Sequence, residues 1–178
     1  MKKIVLVFIV AFIAISANAQ VYVGGTLGFS SVKTETKSAD VKTATFKILP
    51  EIGYELSEDW SIGTVIGYEY SKTEDLKINT FTVAPYARYF FLDSNLVRLF
   101  TDGGFGFSTS KVKGEDALNS WSIGIKPGIA IKLSDNFSLV AKYGFFGYSN
   151  DETYNGKVKR FGLNLDTDEL SFGFHYIF

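Results

Sequence analysis

Nine charged side chains, Glu51, Glu55, Glu69, Arg88, Arg98, Asp102, Lys126, Lys132 and Lys142, stand at alternating positions opposite an apolar face. The glutamates come first in the chain, and Arg88, Arg98 and the three lysines follow. Opposite charges enclosed together can line an ion-selective pore. They can also pair into a plug, because a buried charge is costly without a partner. Other chemistry is thinly supplied. His175 is the one histidine and there is no cysteine, so no catalytic triad, thiolate or metal-ligand set can be assembled. The residues point to no catalytic, cofactor or metal site, and His175 reads as a buried polar filler hydrogen-bonded to the interior. A formal charge of −1 gives no reason to expect nucleic acid as a partner.

Those positions need strands to place them. Eight segments alternate with period two: Val21–Ser30, Thr45–Leu56, Trp60–Tyr70, Thr80–Phe91, Leu96–Ser108, Trp121–Leu133, Phe137–Tyr148 and Glu169–Phe178. Each is about ten residues or more, the length of a tilted membrane-spanning strand. One face is free of charge and holds residues such as Leu27, Phe29, Phe46, Ile48, Tyr68, Phe81, Trp121, Ile123 and Phe145. The other face carries those nine charges and Lys47, with Tyr22, Tyr86, Phe90, Phe100, Phe146 and Tyr148 adding bulk. A lysine or arginine at the bilayer midplane costs about 2–4 kcal/mol, so lipid on the apolar side accounts for the exclusion. Seventeen glycines and many aromatics suit a closely packed barrel with aromatic girdles.

Connections alternate in length. Ser57-Glu58-Asp59, Asp93-Ser94-Asn95 and Ser134-Asp135-Asn136 read as tight turns. Ser31–Ala44, Ser71–Asn79, Thr109–Ser120 and Ser149–Asp168 read as long polar loops, and an even number of strands returns both termini to the short-turn side. Pro50, Pro85 and Pro127 recur at one height on every second strand, which predicts a bulge or local mispairing. At the N-terminus, Lys2 and Lys3, the apolar run Ile4–Ile15 and Ala17-Asn18-Ala19 form a secretory signal pattern over residues 1–19. That leaves 20–178 as one domain. At the other end Leu170, Phe172, Phe174, Tyr176 and Phe178 occupy every second position, the pattern of a closing strand whose outside faces lipid.

The signal pattern, Pro85-Tyr86-Ala87-Arg88-Tyr89-Phe90 and Ser171-Phe172-Gly173-Phe174-His175-Tyr176-Ile177-Phe178 together resemble the small eight-stranded outer-membrane β-barrel family of the OmpX and OmpA membrane-domain type. The resemblance implies an all-β, eight-stranded antiparallel up-and-down transmembrane barrel in the cell outer membrane. It also implies that barrel-insertion machinery reads the C-terminal strand. Eight strands leave an interior just wide enough for side chains, which favours a charged plug over the alternative of a small porin. A soluble lipocalin-like barrel would show the same alternation with its apolar face inside. Residues 31–44 and 149–168 are the candidate surface for a partner, since binding residues concentrate in loops on rigid scaffolds. Mass spectrometry of the exported protein should find Gln20 as its first residue; a retained Met1 would turn residues 1–19 into an anchor.

Overall fold

The computed structural model describes residues 20–36, 39–73, 76–112, 114–153, 156–165 and 170–178, with the side chains of 30–42 outside the description. The expected signal segment, residues 1–19, lies outside the described residues. The strands are β1 (Val21–Thr36), β2 (Ala39–Glu55), β3 (Trp60–Thr73), β4 (Leu76–Asp93), β5 (Val97–Val112), β6 (Leu118–Lys132), β7 (Phe137–Lys142), β8 (Phe145–Thr153), β9 (Gly156–Asn164) and β10 (Ser171–Ile177). All pairings are antiparallel. The ring runs β1 to β6 in order, passes through β7 and β8 on the far side of β6, and closes where β10 pairs with both β7 and β1. The eight expected staves are present, the seventh divided into β7 and β8.

Three of the expected loops are largely strand. β1 and β2 stay in register out to Thr36↔Ala39, β3 and β4 to Thr73↔Leu76, and β5 and β6 to Ser110↔Leu118. Ser149–Asp168 holds the β8–β9 hairpin, in register from Phe145↔Asn164 to Thr153↔Gly156. Apolar alternation ends where a strand rises beyond its apolar surroundings, yet the backbone ladder has no reason to stop there. Sequence periodicity therefore underestimated these strands.

The short turns share one chemistry. Ser57, Ser94 and Ser134 each accept a hydrogen bond through Oγ from the backbone N–H three residues on, at Trp60, Val97 and Phe137. The backbone N–H groups of the same serines donate to those residues' carbonyls at 2.9–3.1 Å. A side chain that mimics a backbone acceptor favours the turn over continued strand.

The prolines resolve into two cases. Each keeps its partner on the preceding strand, Gly25↔Pro50, Thr64↔Pro85 and Thr101↔Pro127. With no N–H to offer the following strand, each interrupts that ladder. Beyond Pro50 and Pro85 pairing resumes in the same register, so these are gaps and not bulges. At Pro127 the register slips: Gly128 faces Lys142, but Ile125 faces Phe146. The slip is taken up at Tyr143-Gly144, where Gly144 has φ 81°, a left-handed conformation that glycine adopts without penalty.

A one-residue slip exchanges the faces of every residue beyond it. Phe145, expected outside, lies under the Lys126 ammonium at 5.6 Å. Phe146 and Tyr148, expected inside, face outward against Phe161 and Trp121. A second irregularity between Phe90 and Leu92 brings Asp93 to the inner rim, where it meets Arg98 and Lys132.

Glycine makes the room in which the inner aromatics lie. One register row links Tyr22, Gly53, Gly63, Tyr86, Gly104, Gly124 and Gly147 across seven strands. A Cβ on Gly53 would stand 2.1 Å from Tyr22 Cζ, so the ring lies flat over its neighbour's bare backbone. Gly53→Val should expel Tyr22 and lower stability by about 1–3 kcal/mol, the usual cost of overpacking. Urea unfolding of the protein in detergent reads this out, with outward Gly103→Ala, whose Cβ would meet nothing closer than 3.8 Å, as a control expected near wild type.

Candidate functional site

The interior is stratified, and its central layer is built on Arg88. This side chain is 1% exposed. It reaches inward from β4, Glu51 from β2, Asp102 from β5, Lys142 from β7 and His175 from β10. Arg88 grips Asp102 with two parallel bonds, Nε to Oδ1 at 2.6 Å and Nη2 to Oδ2 at 2.9 Å, the fork geometry that suits a carboxylate. Nη2 also donates to Glu51 Oε1 at 2.9 Å. Lys142 Nζ stands 3.1 Å from Glu51 Oε2 and 2.9 Å from Asp102 Oδ2, and so ties both carboxylates together.

His175 completes the set. Its Nδ1 lies 3.3 Å from Arg88 Nη1 and its Nε2 3.2 Å from Glu51 Oε1. A guanidinium can only donate, so Nδ1 is the acceptor and Nε2 carries the hydrogen that Glu51 receives. Tyr86 Oη also donates to Glu51, and Tyr22 Oη lies 2.5 Å from Tyr86 Oη. Phe100 covers the guanidinium, its ring centroid 4.1 Å from Cζ. Two cations thus face two carboxylates, and three donors converge on one oxygen of Glu51. A buried ion group is tolerable only with this degree of satisfaction.

On the turn side of this layer lies an apolar one, Phe90, Phe100, Ala130 and Val140. Beyond it, at the turn-side mouth, Arg98 pairs with Glu55 at 2.7 Å and Asp93 at 2.9 Å, and Lys132 pairs with Asp93 at 2.6 Å. Arg98 Cζ lies 3.5 Å from the Phe90 ring centroid. On the hairpin side Glu69 pairs with Lys47 at 3.0 Å. All nine expected inward charges are inside, but they form separate layers and not one network. Glu51, Arg88, Asp102 and Lys142 come together. Glu55, Arg98 and Lys132 make the mouth, Glu69 stands apart, and Lys126 borders the cavity above the central layer. Asp93, Tyr22 and Tyr86 were not foreseen as members. Inward parity signals the two tyrosines; Asp93 depends on a bulge that alternation cannot reveal.

Outside the barrel ends, the β8–β9 hairpin carries its own pairs, Glu152 with Lys157 at 2.9 Å and Asp151 with Arg160. The Lys157 hydrogen bond, with help from the Asn119 N–H, holds the Glu152 carboxyl below the usual carboxylate range. These are exposed pairs of small energetic worth.

The outward face is apolar and ringed by aromatics at two levels. Phe29–Phe46, Tyr68–Phe81, Phe107–Trp121 and Tyr148–Phe161 are register partners toward the hairpin side. Trp60–Tyr89 and Phe137–Tyr176 are partners toward the turns. On β1, Val21 and Phe29 stand at the two levels. Eight residues at about 3.3 Å, tilted by about 40°, separate them by roughly 20 Å, close to the apolar band of a membrane barrel. Leu170, Phe172, Phe174, Tyr176 and Phe178 are all exposed on this face.

A ring of eight staves with an aromatic-girdled apolar exterior defines a small transmembrane β-barrel. The family model of the outer membrane protein beta-barrel domain matches residues 4–178, and the chain belongs to that family. Among solved structures, neisserial surface protein A is similar with a TM-score of 0.53 and 18% identity, over 90% of this chain and 96% of that one. Ail of Yersinia pestis in a nanodisc gives 0.45 and 14%, over 90% and 100%. A major outer membrane protein of Thermus thermophilus gives 0.46 and 15%, over 90% and 99%. At these identities the likeness concerns the fold alone. None of the curated proteins matches the chain. The protein is an outer-membrane barrel, lipid lies against its apolar face, and the soluble lipocalin-like alternative falls.

Proposed function

We propose that this protein is a non-enzymatic, membrane-anchored scaffold with a sealed interior, which presents its hairpins to the outside and passes no solute. The observation that carries this reading is the Arg88 layer. Side chains from β1, β2, β4, β5, β7 and β10 meet across the lumen there, and an apolar layer lies beneath it. A water path would have to part ion pairs and then an oily constriction. His175 spends its nitrogens on Arg88 and Glu51, which suits a structural part better than a general base. The hairpins within 31–44 and 149–168 are the surfaces for a partner.

In a planar bilayer the purified protein should show little steady conductance. Large, regular, ion-selective steps would sink the scaffold reading in favour of a small porin. Arg88→Ala should cost about 3–5 kcal/mol, because it leaves Glu51 and Asp102 buried with one cation between them. A hydrated pore would lose little stability from the same change.

The C-terminal strand supports a second part of the reading, recognition by the barrel-insertion machinery. Phe178 is 68% exposed, and its N–H donates to the Val21 carbonyl at 2.9 Å, so the last residue also helps close the ring. Deleting Phe178, or replacing Tyr176 and Phe178 with Ser, should reduce the membrane-inserted fraction in cells. Refolding of the purified variants into detergent separates recognition from closure: it stays near wild type if the residues serve recognition. Undiminished insertion of both variants in cells would defeat the idea.

A further inference from the structure

Among the described residues the barrel wall is continuous on the turn side, and on the hairpin side β9 and β1 are not paired. β1 pairs with β10 over Tyr22–Thr26. β9 pairs with β8, and no ladder joins β9 to the remainder of β1 among the described residues. The split has a local origin. Pro127 and Gly144 shift β8 by one residue, and β9 ends at Asn164 while β10 begins at Ser171. Phe161 stands in the upper aromatic girdle as the partner of Tyr148, and Leu163 and Leu165 continue down the same outward face. The slot therefore sits at membrane depth, where open backbone edges are not tolerated against hydrocarbon.

Behind the slot are two cavities of about 270 and 700 Å³ that share Ser122, Lys126 and Phe145. The larger is lined by inward Lys126 and Ser149 and by Phe161, Gly162, Leu163 and Asn164 of β9, so it borders that strand along both of its faces. The smaller descends to the Arg88 layer between Leu49, Val65, Ala84 and Phe145, with hydroxyls such as Thr82 among them. Hydrocarbon alone leaves the edge N–H and C=O groups unsatisfied. Water alone wets the apolar walls below. A molecule with a hydrogen-bonding head and one apolar chain satisfies both.

We propose that slot and cavities form a binding site for a single-chain amphiphile drawn from the surrounding bilayer. Its head lies in the upper cavity between β9 and Lys126. Its chain runs down into the smaller cavity against Leu49, Val65 and Phe145. This direction matches the way outer-leaflet lipids already stand, so loading needs lateral movement and no inversion.

The test uses the full barrel in nanodiscs, titrated with a fluorescent polyene fatty acid and read by energy transfer from tryptophan. One saturable site per protein is expected, displaced by unlabelled fatty acid or by lysophospholipid; which of them displaces it identifies the head. Ser122→Phe and Val65→Phe, each filling a cavity wall, should weaken binding about tenfold or more. The outward variant Ile66→Ala, at a residue 46% exposed on the lipid face, should bind as wild type, and gel mobility verifies that all variants are folded. Non-saturable partition that is equal in every variant, or undiminished binding in both filled variants, would overturn the site.

Discussion

The structure depends on enclosing charge without water. A guanidinium at 1% exposure requires carboxylates; Asp102 supplies one from the adjacent β5 and Glu51 the other from β2, two strands away. Those carboxylates together require a second cation, which Lys142 provides from across the ring. The group ties four staves together through its ionic contacts, and hydrogen bonds from His175 add a fifth. In a barrel whose outside is apolar, polar interactions of this strength can be placed only inside, so the usual arrangement of a soluble protein is inverted. The lumen becomes the site of specificity, and the exterior only has to be apolar.

Glycine and aromatic residues set how tightly this arrangement closes. The row from Tyr22 through Gly53 and Gly63 to Tyr86 lets two rings lie against bare backbone. Their hydroxyls then reach each other and Glu51. The same bare backbone near Gly128 receives Phe100, the ring that covers Arg88. Packing and electrostatics are one construction here: without the glycines the rings could not lie flat, and the ions would lose both donors and cover.

The hairpin half of the barrel is built differently. One proline and one left-handed glycine displace β8, and β9 follows β8 away from β1. The turn half is thus filled by stacked ionic and apolar layers, and the hairpin half holds the cavities above them.

Much of this was legible in the residues. Period-two alternation with charge confined to one face defined the strands, their inward sets and their lipid-facing exterior, because each inversion of parity would carry a charge into hydrocarbon. The three serine turns and the terminal aromatic strand were readable for the same reason, as local chemistry with one good geometry. Where the apolar pattern stopped, the strands did not, since a ladder needs only backbone. Which charges meet was a matter of shear and stagger: Lys142 and Glu51 are 91 residues apart and touch because the ring closes. The slip at Gly144 was invisible, because a single glycine in a strand looks the same whether it continues the pleat or breaks it. Tertiary structure alone decided that, and with it the faces of Phe145, Phe146 and Tyr148 and the opening beside β9. Away from the irregularities at Phe90 and Gly144, the sequence by itself determined what faces lipid and what faces inward, because charge is excluded from hydrocarbon; only the closed ring decided which inward groups are partners.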